Sequence, residues 1–435
     1  MAFVQPIVQT RQCAEPFDLL ALHQAFPQRY PALLSSASGL VNGHRYDFLF
    51  ADCAEVSLAE LEQVDVASPQ SHELPFIGGY VVFFPYEYAQ AVEPTLTLPQ
   101  AQAWQAKVWR VSAAFIVDRV TNECHLVAQP EFADLMEGYW QDWQRVCQHP
   151  KMATLPIVAD IQEADGERFL AGVEQCKNYI LSGDVFQVNL SRQWQALISL
   201  DVTPAMIYQQ LRQANPAPFS ALLTWDNQAV ISSSPERLVS VRNGLVETRP
   251  IAGTRRRGAD EQADEALKSE LSLHPKERAE HVMLLDLERN DLGRVCQPGS
   301  VRVNELMTIE TYTHVHHIVS NVVGQLRPNT SAKQVIDAVF PGGTITGCPK
   351  VRCMEIIAEL EQQPRGVYTG SLGYVSLDGQ MDTNILIRSF HWQPGRLTFN
   401  AGAGIVYDSQ ADFELDETRH KAKGLLRALA SESSL

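Results

Sequence analysis

The stretch SLGYVSLDGQMDTNILIRSFHWQPGRLTFNAGAGIV, residues 371–406, combines strand patterns with tight-turn signals. Asp378-Gly379 separates strand-like runs at 372–377 and 385–390, and Asp-Gly favours a two-residue hairpin turn. A further run at 397–400 leads into the glycines of AGAGIV. This stretch therefore predicts neighbouring strands in an antiparallel sheet.

The same patterns extend outward to the rest of the chain. Asn243-Gly244 is a second hairpin signal between strand-like runs. Further strands are predicted at 46–50, 78–84, 113–117 and 185–190, and helices at 167–181, 263–287, 351–360 and 411–430. Strands and helices do not alternate regularly, so the sequence predicts an α+β fold with layers of extended antiparallel sheet.

A polar connector at 160–167 suggests two regions in the sequence. The first, residues 1–160, carries few chemical signals. The second, residues 163–432, holds almost all of them. We interpret the second region as the catalytic one.

Composition and charge restrict the function. The chain has 435 residues, 45% of them hydrophobic, and a formal net charge of −16. No basic patch indicates a nucleic-acid partner, and an anionic substrate would require a locally positive site. The sequence shows no signal peptide or apolar membrane span, and its eight cysteines form no CxxC pair. We therefore expect a cytoplasmic protein with no membrane partner.

Two helical segments carry carboxylates that could bind a hard cation. Glu277, Glu280 and Glu288 lie in KERAEHVMLLDLERND, residues 276–291. Glu417 and Lys421 are four residues apart in DETRHKAK. Carboxylate oxygens suit a divalent ion such as Mg²⁺, and a nearby lysine could bind a substrate anion. Both patterns also occur on ordinary solvated helices.

Two glycine-rich segments are candidate anion sites. Gly402 and Gly404 in AGAGIV would let a backbone approach a carboxylate, although a glycine bulge for sheet packing has the same pattern. In FPGGTITGCPKVRCMEII, residues 340–357, glycines precede a predicted helix start that carries Lys350 and Arg352. The segment lacks the order of a Walker A loop.

The run THVHHIVSN contains His314, His316 and His317. In a strand, His314 and His316 would share one face and His317 would take the other. A complete set of zinc ligands is not visible. The alternatives are a single histidine acting as acid or base, and a structural histidine.

Together these motifs resemble the chorismate-utilising family, which includes anthranilate synthases, aminodeoxychorismate synthases, isochorismate synthases and salicylate synthases. The resemblance runs from about residue 165 to residue 430. The motifs that carry it are SPERLV, TRPIAGTRRRG, KERAEHVMLLDLERNDLGRV, HHIVSN, FPGGTITGCPKVRCMEII, GSLGY, MDTNILIRSF, AGAGIV and DET. It implies an anthranilate synthase component I-like fold, with large antiparallel β-sheets in a sandwich flanked by helices. Chorismate would be the substrate and Mg²⁺ the cofactor.

The resemblance also implies residue roles. Glu280 and Glu417 would bind Mg²⁺. His317, Glu236 and Gln187 would lie at the reacting ring, with His317 as acid or base. The residues implied to bind the substrate are Gly253, Thr254, Thr346, Lys350, Tyr368, Arg388, Gly402, Ala403, Gly404 and Lys421. Ser36, in LLSS, resembles the serine of a tryptophan pocket, although it is equally consistent with an ordinary serine near a strand end.

One position separates water from ammonia chemistry in this family. Isochorismate and salicylate synthases resemble this segment but carry a water-activating lysine where this chain has Gln187, and a glutamine cannot act as that base. The resemblance therefore favours amination. No glutaminase segment is visible, so the ammonia would come from a separate glutaminase partner.

The position of amination remains open between two groups. FQVNLS, NPAPFSALL and VHHIVS resemble aminodeoxychorismate synthases, which aminate C4. PIAGT, with Ala252, resembles anthranilate synthases, which aminate C2, because many aminodeoxychorismate synthases carry a nucleophilic lysine there. The sequence favours the first group and keeps the second as an alternative.

Overall fold

The computed structural model describes residues 5–13, 17–36, 45–68, 72–148, 157–258, 260–273, 275–311 and 315–429. For residues 252, 254, 272, 273, 275–277 and 315 it describes the backbone alone. The strands are β1 Ile7–Gln12, β2 Ala32–Ser35, β3 Tyr46–Ala51, β4 Ala54–Val56, β5 Gly79–Phe84, β6 Lys107–Val111, β7 Ala113–Asp118, β8 Glu123–Ala128, β9 Ala159–Glu163, β10 Gln187–Ile198, β11 Phe219–Trp225, β12 Gln228–Ser234, β13 Arg237–Arg242, β14 Leu245–Thr248, β15 Ile251–Arg256, β16 Arg302–Thr311, β17 Val315–Gln325, β18 Gly347–Cys348, β19 Ser371–Ser376, β20 Met381–Asn384, β21 Ser389–Gln393 and β22 Arg396–Ile405. The helices are α1 Leu20–Ala25, α2 Ala89–Val92, α3 Met136–Cys147, α4 Gly166–Leu181, α5 Pro204–Ala214, α6 Glu261–Leu273, α7 Pro275–Gly293, α8 Ala332–Val339, α9 Lys350–Glu361 and α10 Ala411–Leu429.

The strands form two large antiparallel sheets. The first has twelve strands among the described residues, in the order β1-β8-β7-β3-β2-β11-β12-β21-β22-β10-β18, with β9 beside β10. The second has ten in the same described part of the chain, in the order β15-β17-β14-β13-β20-β19-β5-β6-β4, with β16 beside β17. The predicted α+β fold with extended antiparallel sheets is confirmed.

Both sheets contain strands from both ends of the chain. In the first sheet β2 pairs with β11, and in the second β5 pairs with β19. The division near residue 160 therefore separates two regions of the sequence and does not separate two sheets, since both regions contribute strands to each sheet.

The two hairpin signals had different outcomes. At Asn243-Gly244 both residues have positive φ, 55° and 71°, and the turn joins β13 to β14 as predicted. Asp378-Gly379 also joins a hairpin, but the second strand is β20, Met381–Asn384, and the predicted run at 385–390 was wrong. Only the last two residues of that run, Ser389 and Phe390, belong to a strand, and this strand is β21 of the first sheet.

The predicted helix at 263–287 is two helices, α6 and α7, on either side of residue 274. Pro275 begins α7. Proline has no backbone N–H and its ring clashes with the preceding helical turn, so it suits the start of a helix and disrupts an interior. The sequence pattern joined the two because the hydrophobic spacing continues across the break.

Side-chain alternation along β10 positions the functional region. Val188 and Leu190 point into an apolar cluster with residues of α4, α9, α10 and β22. The residues between them therefore face the opposite side of the sheet. These residues are Gln187, Asn189 and Ser191, all buried. A buried polar face in a large sheet is a candidate ligand site, because buried polar groups need partners.

None of the described helices is long and apolar enough to cross a membrane.

Candidate active site

The glycines of AGAGIV lie in β22, directly beside the polar face of β10. Asn189 pairs with Gly404 and Ser191 with Gly402 in the strand register. A Cβ on Gly402 would lie 2.7 Å from both Asn189 Oδ1 and the Tyr368 hydroxyl, and one on Gly404 would collide with the Gln187 amide. Side chains are thus excluded at both positions, and Ala403 between them points into the core. We refer to Gly402, Gly404, Gln187, Asn189 and Tyr368 as the glycine cradle.

A buried ion pair supports the cradle from behind. Arg365 donates to both carboxylate oxygens of Glu361, at 2.9 and 2.7 Å, and to the Asn189 carbonyl at 2.7 Å. Glu361 also accepts the Ser191 N–H at 2.8 Å. The guanidinium lies 5.4 Å from the Tyr368 ring centroid. One buried cation therefore fixes the strand backbone and contacts the aromatic residue of the cradle.

Glu236 and Arg388 form a second polar group. Burial raises the pKa of Glu236 to about 7, although a hydrogen bond from the Ile251 N–H and the nearby charges of Arg388 and Lys421 act in the opposite direction. Arg388 is half-buried, and desolvation lowers its pKa. Within the described part of the chain the Arg388 side chain makes no ion pair or hydrogen bond, and Glu236 is the one nearby acid that favours its charge.

A buried guanidinium without a carboxylate partner is costly. An anionic ligand would remove that cost, so the predicted substrate-binding role of Arg388 agrees with its surroundings.

His317 faces the same region from β17. Burial lowers the pKa of His317 to about 3, the charge of Arg388 acts in the same direction, and a hydrogen bond to the Gly253 backbone opposes both. The imidazole is therefore neutral near pH 7. Gly253 has φ +62° at a register shift in β15, which orients its carbonyl locally. The side chain of Thr254 and all of His314 lie outside the described residues.

His316 points to the other face of the strand, as alternation requires. Its Nε2 lies 2.8 Å from Asp264 Oδ1 and its Nδ1 lies 2.9 Å from the Thr311 hydroxyl. Asp264 also accepts hydrogen bonds from Arg257. The two neighbouring histidines therefore differ in their surroundings. His316 has structural partners, and His317 faces the candidate site.

The two predicted metal ligands are carboxylates on separate helices. Glu280, on α7, lines an open cavity of about 880 Å³ that also contains Gln187. Glu417, on α10, lies 2.7 Å from Lys421 Nζ, and the same ammonium donates to the Gly402 carbonyl at 3.0 Å. Lys421 therefore links Glu417 to the glycine cradle. From the helical spacing alone, Glu417 and Lys421 could have formed an ordinary surface ion pair. In the structure they form this ion pair, and Lys421 also bonds to the glycine cradle.

Two predicted substrate residues have structural partners instead. Lys350 binds Asp291 at 2.5 Å and the Val339 carbonyl at 3.0 Å. Thr346 is fully buried and donates to the Gly342 carbonyl at 2.9 Å. Both substrate-binding assignments stay predictions; in the structure the polar groups of these residues have partners within the chain. A helix start with a lysine predicts an anion site, and here a buried aspartate of the same chain supplies the anion.

Sequence reasoning missed Asn189 and named Glu288 only as one of three carboxylates on a helix that could bind a hard cation. Asn189 is two residues from Gln187 in a strand, so alternation alone would have placed it on the same face. Glu288 is buried on α7; desolvation and the neighbouring Asp291 raise its pKa, and Glu236 acts in the same direction. Its burial depends on packing beside Gly343, which helical spacing does not reveal.

Mg²⁺ binding by Glu280 and Glu417, and a tryptophan pocket at Ser36, stay predictions. Among the described residues, the cluster of three potential ligands is Asp118, Glu123 and His125, far from Glu280 in sequence, and Arg45 pairs with Asp118. Ser36 is buried, and its N–H donates to Asp47 at 2.9 Å, but residues 37–44 lie outside the description.

A half-buried guanidinium without an acidic partner and a glycine cradle, linked through Glu236 and Lys421, are features that suit an enzyme site for a small organic anion. Comparison with known proteins gives the family. The family model described as chorismate binding enzyme matches residues 38–427. The chain belongs to the chorismate binding enzymes.

Two curated relatives illustrate the range within that family. The chain is 44% identical over 374 residues to aminodeoxychorismate synthase component 1 of Bacillus subtilis, covering 82% of this chain and 78% of the relative. It is 50% identical over 373 residues to anthranilate synthase component 1 of Aquifex aeolicus, covering 81% and 74%. The chain is therefore a chorismate-utilising enzyme of the anthranilate and aminodeoxychorismate synthase component I group.

Solved structures share the fold. Anthranilate synthase component I from Streptococcus pneumoniae is 30% identical, with a TM-score of 0.75 over 97% of this chain and 92% of that chain. The menaquinone-specific isochorismate synthase from Escherichia coli has a TM-score of 0.78 at 20% identity, over 98% and 95%. The predicted anthranilate synthase-like fold is confirmed.

Proposed function

We propose that the chain is the chorismate-aminating subunit of an aminodeoxychorismate synthase. It would convert chorismate and ammonia to 4-amino-4-deoxychorismate and water, en route to 4-aminobenzoate and folate. The observation that carries the choice of ammonia over water is Gln187. Its side chain lies in the cradle beside Gly404, where a water-activating enzyme would need a base, and an amide cannot take a proton from water near pH 7.

Arg388 and the cradle would bind the carboxylates of chorismate. Arg388 is the described guanidinium at the site that lacks an acidic partner, so a substrate carboxylate would satisfy it through charge-assisted hydrogen bonds. The glycines keep side chains away from the sheet, which lets the substrate approach the backbone of β22. Both features suit a small dianion in a protein of net charge −16.

Glu280 and Glu417 would hold Mg²⁺, since oxygen ligands suit this hard cation. When bound, Mg²⁺ would supply positive charge against a substrate carboxylate and against the departing ring hydroxyl. Lys421 would orient Glu417, because it bonds both that carboxylate and the Gly402 carbonyl.

Glu236 and His317 have protonation states suited to proton transfer. A pKa of about 7 leaves much of Glu236 protonated near neutrality, so it would donate a proton to the ring hydroxyl as that group leaves as water. His317 is neutral and would accept a proton from the newly attached nitrogen. The ammonia would come from a separate glutaminase subunit, in keeping with the component 1 names of the relatives.

Anthranilate synthesis is the second candidate, and Ala252 favours it. Ala252 pairs with Ile318 in the strand register and offers no nucleophile, so covalent catalysis from this residue does not occur. The 50% identity to the Aquifex aeolicus enzyme also favours this candidate. FQVNLS, NPAPFSALL and VHHIVS favour C4 amination.

The test uses the purified chain, chorismate, Mg²⁺ and an ammonium salt. With an added 4-amino-4-deoxychorismate lyase we expect 4-aminobenzoate, whereas fluorescent anthranilate without the lyase would establish the second candidate.

Glu280→Ala, Glu417→Ala and excess EDTA should each abolish turnover, and near-normal rates would refute the metal assignment. Ala252→Lys tests whether this residue sets the product, since an unchanged product would exclude it.

A further inference from the structure

Two buried carboxyl groups lie near each other in the protein, and the proposed reaction uses one of them. Glu236 and Glu288 are 5% and 6% exposed. The charge of Glu236 raises the pKa of Glu288, so the two groups interact. Glu236 has a role as proton donor, whereas Glu288 has none. A buried acid beside a catalytic acid is a candidate for a role in proton transfer.

The segment Gly343-Thr344 lies between the two acids. A Cβ on Gly343 would lie 3.2 Å from Glu288 Oε1, so the backbone closely approaches this carboxyl group. The next residue, Thr344, is close enough to Glu236 to act on its pKa. The Thr344 hydroxyl is buried and has no hydrogen-bond partner among the described residues. One short segment therefore approaches both acids and carries a hydroxyl with unused donor and acceptor capacity.

A second buried hydroxyl lies near the same two acids. Thr248, at the end of β14, acts on the pKa of Glu288, and its hydroxyl also lacks a hydrogen-bond partner in the described part of the chain. Three residues later, the Ile251 N–H donates to Glu236 at 3.4 Å. An unpaired buried hydroxyl destabilises the folded state, so two of them beside a pair of acids indicate a function. A hydroxyl can accept one proton and release its own, which is what a proton relay requires.

Glu288 is also connected to the open cavity. Burial raises the pKa of Glu288 to about 7, Asp291 and Glu236 act in the same direction, and Lys350 opposes them. Much of Glu288 is therefore protonated near neutral pH. Asp291 is three residues away on α7 and pairs with Lys350 at 2.5 Å, and both line the cavity of about 880 Å³. A proton from solvent can thus reach Glu288 by way of Asp291.

We propose that Glu288 returns a proton to Glu236 after each turnover, through the buried hydroxyls of Thr344 and Thr248. This inference rests on the proposed amination, in which Glu236 gives its proton to the departing ring hydroxyl. A threonine hydroxyl accepts the Glu288 proton and releases its own to Glu236, so the hydroxyl itself is unchanged. Glu288 takes a new proton from solvent, and His317 releases to solvent the proton that it took from the nitrogen. Glu288 acts through Glu236 and is therefore a positioning residue.

The test separates the first turnover from those that follow. Glu288→Gln keeps the shape of the side chain and removes the group that carries the proton. Chorismate consumption with an ammonium salt is followed at pH 6, where Glu236 is protonated before the first turnover. We expect a burst of about one turnover per active site at the wild-type rate, followed by a steady state roughly tenfold slower than that of the wild type.

Two further variants test the path and the carboxyl group. The double variant Thr248→Val with Thr344→Val removes both unpaired hydroxyls, which should leave the fold at least as stable as the wild type. It should show the same burst and the same slow steady state. Glu288→Asp retains a carboxyl group and should restore part of the steady-state rate. A purely structural Glu288 would not produce a burst, because its loss would slow the first and the later turnovers alike.

Glu265→Gln is the matched control. It makes the same chemical change on the exposed surface of α6, where Glu265 pairs with Lys268 at 3.3 Å, and it should leave both phases unchanged. A wild-type steady-state rate in Glu288→Gln would overturn the relay, as would a first turnover slowed as much as the later ones. Wild-type kinetics in the double threonine variant would overturn the path through the hydroxyls. A wild-type chain that consumes no chorismate with ammonium would instead refute the amination itself.

Discussion

Glu236→Gln should stabilise the free protein at alkaline pH and remove activity. Burial raises the pKa of Glu236 from 4.5 to about 7, so the folded protein retains a proton that the unfolded chain has released. Between these two values the free energy of unfolding falls as pH rises, because the folded state binds more protons. The difference of about 2.5 units corresponds to about 3 kcal/mol at pH 8 and less than about 1 kcal/mol at pH 5.

The substitution removes the ionisable group and retains the shape. In denaturant unfolding without Mg²⁺ or substrate, Glu236→Gln should therefore gain about 2 to 3 kcal/mol over the wild type at pH 8, and much less at pH 5. The same variant should lose most of its amination rate, because the amide cannot donate the proton that the leaving hydroxyl needs. A stability difference that does not change between the two pH values would refute the reasoning, since only an ionisation makes it depend on pH.

Three further substitutions test the site and its support. Arg388→Gln should raise the chorismate KM roughly tenfold to a hundredfold by removing a charge-assisted hydrogen bond of about 1.5–3 kcal/mol, and an unchanged KM would exclude the carboxylate role. Gly402→Ala should abolish turnover and lower the melting temperature, because the added methyl group would lie 2.7 Å from the Tyr368 hydroxyl and 2.8 Å from the Leu190 carbonyl; near-normal turnover would show that no ligand uses this space. Glu361→Gln should lower the free energy of unfolding by about 3–5 kcal/mol, since Arg365 would remain as a buried cation without its carboxylate, and urea unfolding measures this directly.

The sequence predicts elements well where the signal is local. The hairpin at Asn243-Gly244 follows from two residues that accept positive φ. The helix α4 was predicted one residue short at its start, and Gly183, with φ +80°, lies just after its end. In each case the residues that decide the structure lie within a few positions of it.

The errors occur where distant segments decide the structure. The strand after Asp378-Gly379 ends at Asn384 because the following residues pair with β12 in the other sheet, about 150 positions away in the chain. A distant segment also supplies the partner of Lys350, because only the fold brings Asp291 to its ammonium. Neither partner is visible in the local pattern.

The site residues show the same difference between local signals and effects of the fold. Gly402, Gly404 and Gln187 were found through motifs, and the strand register explains why these types are needed, since a side chain on either glycine would fill the cradle. Asn189 was overlooked because one asparagine in a strand carries no signal by itself. Its importance comes from burial and from the lack of a partner, and neither property is readable before the strands are paired.

The support behind the cradle explains how such unpaired groups persist. A flexible strand would rotate Asn189 toward the nearest donor and lose the acceptor. Here the guanidinium of Arg365 holds the Asn189 carbonyl, and Glu361 holds both Arg365 and the next strand residue, Ser191. The buried ion pair lies against Tyr368 and holds the backbone of β10 at Asn189 and Ser191, which fixes where these residues stand in the cradle. Its contribution is therefore to orientation, because a buried pair of this kind gives little net stability over a well-packed apolar replacement.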